Sequence, residues 1–167
     1  ILIIGSVVLS GLIWGDLSNK YLLLGLACLV GFAIIGFIDD YKKIFSLDST
    51  GLSSTTKIFY QAMVALVVSV ILFASSTSPQ ELEYIVPFFK NISIELGVGF
   101  VFLSVFILVG SSNAVNLTDG LDGLAILPVI IITAALGIIA WAAGNVIAAE
   151  YLYIPYLATR LLNTGYK

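Results

Sequence analysis

Asp39 and Asp40 close the apolar run "GFIDD", Lys43 follows four residues after Asp39, and Lys57 opens the next apolar run. Further on, Asn113, Asn116, Asp119 and Asp122 recur at three-residue intervals in "NAVNLTDGLDGLA", between "LGVGFVFLSVFILVG" and "ILPVIIITAALGIIAWAAG". An ionised carboxylate buried in such surroundings costs several kcal/mol, roughly, unless it meets water, a partner or a metal. The chain has no histidine, and its single cysteine, Cys28, lies inside an apolar run. Hard oxygen ligands without His or Cys suit Mg²⁺ better than zinc. Aspartate pairs and lysines around Mg²⁺ are what phosphoryl chemistry on a diphosphate needs: the metal neutralises phosphate oxygens and the lysines hold the remaining charge. Gly120 and Gly123 follow the two later acids, so the backbone there can turn or approach a ligand closely. The bland alternative is that "DDYKK" is a solvated helix end.

The elements that must hold these residues are membrane spans. The sequence of 167 residues is 60% hydrophobic and only 10% charged, which excludes an ordinary soluble domain. It carries no basic tract for nucleic acid. The expected fold is all-α and polytopic, about five transmembrane helices of a larger bundle in a single domain over 1–167. Spans are expected at 1–14, 21–38, 58–74, 96–110 and 124–149, with polar loops at 39–57 and 111–123. Pro79 and Pro87 break the segment 75–95, whose middle, "ELEYIVPFF", could pair as a short hairpin; Glu81, Glu83 and Lys90 read as solvated loop residues. Pro128 falls in the first turns of the fifth span, where proline is tolerated. The first run would reach about 21 Å as a helix against a hydrocarbon core of about 30 Å. The chain therefore reads as an internal fragment. Two crossings separate the acidic clusters, which puts both on one face; lysine and arginine are nearly balanced between the faces, so charge does not orient the chain.

Taken together, "IIGFIDDYKK" and "LTDGLDGLA", with "LIWGDLSNKY" before them, resemble the polyprenyl-phosphate N-acetylhexosamine-1-phosphate transferase superfamily, most nearly its phospho-N-acetylmuramoyl-pentapeptide transferase branch. That resemblance implies Mg²⁺-dependent transfer from UDP-N-acetylmuramoyl-pentapeptide to undecaprenyl phosphate. The products are lipid I and UMP, made for peptidoglycan synthesis at the cytosolic face of the bacterial inner membrane. It implies a base role for Asp39, a place near metal and diphosphate for Asp40, and phosphate contacts for Lys43 and Lys57. Asn116, Asp119, Gly120, Leu121 and Asp122 match the segment that contacts the nucleotide. The lipid bilayer is an implied partner, and a homodimer is compatible with this reading. A further metal aspartate and a histidine-rich loop, both part of the family pattern, are expected beyond Lys167, so the resemblance implies that residues 1–167 are inactive by themselves. Two other readings stay open. One is a sibling enzyme moving N-acetylglucosamine-1-phosphate. The other, from a different class, is a membrane cation transporter, against which the acids lie at span ends rather than mid-span.

Overall fold

The computed structural model describes residues 2–45, 51–77, 79–85, 93–118, 124–152 and 154. They fall into two compact units: Ile1–Tyr84 with Glu95–Ser112, and Ile85–Ile94 with Asn113–Lys167. The expected all-α class holds, with six helices among the described residues. Four of them are long and apolar enough to cross a membrane.

In the first unit, α1 (Leu2–Trp14) ends at a turn in which the Asp16 carboxylate accepts the Ser18 N–H at 2.9 Å. Asn19 then starts α2 (Lys20–Phe45), its side-chain oxygen accepting the Tyr21 N–H at 2.9 Å, one of the donors that a helix N-terminus leaves orphaned. The helix α2 runs well past residue 38, where the sequence reading ended its span. No proline or glycine interrupts "DDYKKIF", Lys43 pairs with Asp39 one turn back, and Phe37, Tyr41 and Phe45 stack in series at 5.9 and 4.5 Å between ring centroids. Twenty-six residues make about 39 Å of helix, so about 9 Å projects from a hydrocarbon core of about 30 Å. The acids and lysines therefore sit on a helix end rather than in a loop. Ser53 caps α3 (Ser54–Ala74), accepting the Thr56 N–H at 3.2 Å, so this helix begins four residues before the expected 58.

The helices α2 and α3 lie antiparallel. Ion pairs and hydrogen bonds join the start of α2 to the end of α3 (Lys20 to Ser75), and the end of α2 to the start of α3 (Asp39 to Lys57). Small residues bring the backbones close: a methyl added at Gly31 would lie 2.7 Å from Val64 Cγ1. Gln61, Ala65, Val68 and Ser69 form the buried stripe of α3. Beyond α3 a 3-10 turn (Pro79–Leu82) leads to β1 (Glu83–Ile85), which forms a two-stranded sheet with β2 (Ser93–Glu95). The hairpin thus exists, but the partner strand lies downstream of the proposed "ELEYIVPFF" segment. Glu81 differs from its expected solvated state: it accepts from Lys20 at 2.8 Å and from the Thr77 hydroxyl at 2.9 Å.

Helix α4 (Gly99–Thr118) begins in the first unit and ends in the second, extending past the expected boundary at 110 to take in Asn113 and Asn116. The second unit also holds α5 (Ile126–Gly144) and α6 (Val146–Tyr151). The expected continuous span 124–149 is broken at Asn145, which leaves the helix (φ −110°, ψ 117°) and caps α6 by accepting the Ala148 N–H at 3.1 Å. Ala142, Ala143 and Ala149 bury themselves around that bend. Side faces elsewhere carry exposed apolar groups, such as Phe102, Phe106 and Ile138. Such faces are stable against lipid tails, with the backbone groups satisfied inside each helix.

Candidate active site

The charged end of the α2–α3 pair gathers four of the residues read from the sequence. Asp39 faces α3 and its side chain is only 6% exposed. Its Oδ2 accepts from Lys43 Nζ at 2.9 Å and from Lys57 Nζ at 3.2 Å. Its Oδ1 accepts the backbone N–H of Leu52 at 2.8 Å. Helical geometry explains the first contact, since residues four apart share a face. The second needs the chain to return as α3, where the Ser53 cap places Lys57 in the first turn. Removing one lysine would leave Asp39 with the other and the Leu52 amide; only loss of both ammonium groups would leave its nearly buried charge uncompensated, a loss of about 3–5 kcal/mol where burial is complete.

Asp40 points the other way. Its side chain is 74% exposed and meets Lys43 at 3.3 Å. The two adjacent acids thus differ in kind: one is spent on holding two ammonium groups, the other is open to solvent and ligands. Lys43 bridges them and is itself 47% exposed.

One turn along α3 from Lys57, buried Gln61 donates to the Ser112 hydroxyl of α4 at 3.2 Å. Between the same helices runs an apolar groove of about 530 Å³, walled by Ile58, Phe59, Met63 and Leu66 on α3 and by Phe102 and Phe106 on α4. Its wall on α3 begins at Ile58, the residue after Lys57.

Of the second motif, Asn116 lies on the exposed face of α4 near its end, in the second unit. Asp119, Gly120, Leu121 and Asp122 lie outside the described residues. Among the described residues no group of three or more His, Cys, Asp or Glu forms a ready metal cage. Open Asp40 fits the smaller demand of Mg²⁺, which keeps several waters and takes one or two carboxylates beside substrate phosphates. Sequence reasoning missed Gly51, Leu52, Gln61 and Ser112. A backbone donor leaves no residue-type signal, and a hydrogen bond spanning 51 residues leaves no local spacing.

Fold and charge cluster together define a polytopic helical membrane protein with acids and lysines assembled at one end of a helix pair. The family model described as glycosyl transferase family 4 matches residues 22–163, which take in both the helix pair and the "NLTDGLDGLA" segment. The chain belongs to that family, a family of membrane transferases that move phospho-sugars.

Proposed function

We propose that the protein transfers phospho-N-acetylmuramoyl-pentapeptide from its UDP-linked precursor to undecaprenyl phosphate, releasing UMP and forming lipid I, with Mg²⁺ as cofactor and the site facing the cytosol. The observation that carries the transferase chemistry is the Asp39–Lys43–Lys57 cluster with Asp40 open beside it. Asp39 keeps two ammonium groups within reach of one point, as binding two phosphate groups requires. An incoming phosphate competes with Asp39 for both lysines. As they turn to the phosphate, Asp39 Oδ2 is freed to take the proton of the lipid phosphate. Asp40 would hold Mg²⁺, which supplies charge neutralisation on the diphosphate when bound. The lipid acceptor is supported by the apolar groove between α3 and α4: an isoprenoid chain lying there would bring its phosphate to the Lys57 end. The choice of the muramoyl-pentapeptide donor rests on the sequence resemblance of "LTDGLDGLA", in which Asn116, Asp119, Gly120, Leu121 and Asp122 would meet the nucleotide.

The test is UMP release by the full-length protein in membranes supplied with UDP-N-acetylmuramoyl-pentapeptide, undecaprenyl phosphate and Mg²⁺. Turnover should vanish with chelator, and Asp39→Asn or Asp40→Asn should each lower it about a hundredfold or more, the loss of several kcal/mol of transition-state stabilisation. Turnover with UDP-N-acetylglucosamine but not with the pentapeptide precursor would move the assignment to the sibling class. Near-normal activity in both aspartate variants would make the acids mere helix-end charges.

A further inference from the structure

The two lysines both hold Asp39 through Oδ2, and their long flexible stems let that oxygen, and the carboxylate with it, shift. The contact from the rigid backbone is on the other oxygen, where the Leu52 N–H donates at 2.8 Å from the chain returning toward α3. For that amide to arrive, the residue before it must lie against Asp39 itself. A Cβ built on Gly51 would overlap Asp39 Oδ1, sit 2.8 Å from Lys43 Cε and 3.0 Å from the Asp39 carbonyl oxygen. The lysine stem could swing aside, but the carbonyl is locked in α2 and cannot. The only positive-φ glycine among the described residues is Gly97, so the demand at Gly51 is for space and not for an unusual backbone.

We propose that Gly51 and the backbone amide of Leu52 are positioning elements of the transferase site. They clamp the Asp39 carboxylate from the side opposite the lysines, and so set where Lys43 and Lys57 stand when phosphate arrives. The proposal rests on the reading of this cluster as the transfer site, and extends it to two positions that carry no functional side chain. Neither residue touches substrate, and the effect runs through Asp39. Positional errors of about 1 Å in such a constellation cost up to about a hundredfold in rate.

Three versions of the full-length protein separate clamp from packing. Gly51→Ala adds the colliding methyl. Replacing the Leu52 peptide N–H by an ester oxygen, with the side chain kept, deletes the donor alone. Leu52→Ala keeps the donor and trims the side chain. The first two should lower kcat for UMP release about tenfold or more with KM changed less than about threefold, whereas Leu52→Ala should keep kcat within about threefold. Hydrogen exchange at Leu52 reads the clamp without turnover: its amide should exchange faster in Gly51→Ala than in the parent. Parent-like kcat and exchange in Gly51→Ala would overturn the proposal, as would equal impairment of Leu52→Ala and the ester. Should Gly51→Ala fail to accumulate, the ester and Leu52→Ala pair decides. A parent protein that releases no UMP sinks the transferase reading instead, and the exchange comparison still decides the clamp.

Discussion

At the scale of single residues, identical side chains are given opposite tasks by what surrounds them. Asp39 and Asp40 are neighbours in sequence, yet one is enclosed by two ammonium groups and an amide while the other stands in solvent. Glu81 shows the same dependence at the far end of the helix pair. Its hydrogen bond to Lys20, with smaller help from Tyr21 and Thr77, brings its carboxyl from the ordinary value of 4.5 down to about 2. A depressed folded value means that the contribution to stability is complete above the unfolded value and disappears as pH falls through the folded one. Thermal stability of the parent in detergent should therefore decline between about pH 4.5 and 2 by more than that of Glu81→Gln. Parallel curves for the two proteins would show that the Lys20 pair adds nothing.

At the scale of elements, α2 and α3 position the chemistry because they approach closely. Helices in lipid gain nothing from burying apolar area against each other, so close packing and interhelical hydrogen bonds must hold them. Gly31 against Val64 supplies the first, and the Gln61–Ser112 bond links α3 onward to α4. Gly31→Ala places a methyl 2.7 Å from Val64 Cγ1, and overpacking of this kind costs about 1–3 kcal/mol. The variant should unfold at lower temperature, and Val64→Ala added to it should restore much of the loss by opening the same space. Two independent, additive losses would mean that the pair is not in contact. Asp39 lies eight residues, about 12 Å, along α2 from Gly31, more than two turns from the added methyl, so transfer per folded molecule should fall less than the folded fraction does.

At the scale of the whole molecule, the first unit has two polar ends separated by apolar helix. The α1–α2 turn carries Asp16, Ser18 and Asn19; the opposite end carries the Asp39 cluster and the start of α3. With Cys28→Ala as background, Ser18→Cys and Ser54→Cys should each react with an impermeant thiol reagent from one membrane face only, and from opposite faces. Reaction of both from the same face would mean that α2 does not cross. If the proposed orientation holds, Ser54→Cys is the cytosolic one.

The sequence alone determined that this is a helical membrane protein, because apolar runs of span length with so few charges can fold only where lipid replaces water. It also brought Asp39, Asp40, Lys43 and Lys57 forward as a group, since charge at the end of an apolar run and helical spacing are both local signals. The helix ends were less legible: α2 outruns its apolar stretch because lysines continue a helix as readily as apolar residues and Lys43 pairs back to Asp39, and the stop signal of Gly144 with the N-cap residue Asn145 is masked by apolar residues on both sides. Tertiary structure decided the rest. Which aspartate is enclosed and which is open depends on the return of α3, and the amide of Leu52, the empty space at Gly51 and the pairing of Glu81 with Lys20 join residues 13, 12 and 61 positions apart. Such contacts have no period and no residue signature, because they are made by backbone groups and by whichever long side chain the packing of helices brings within reach.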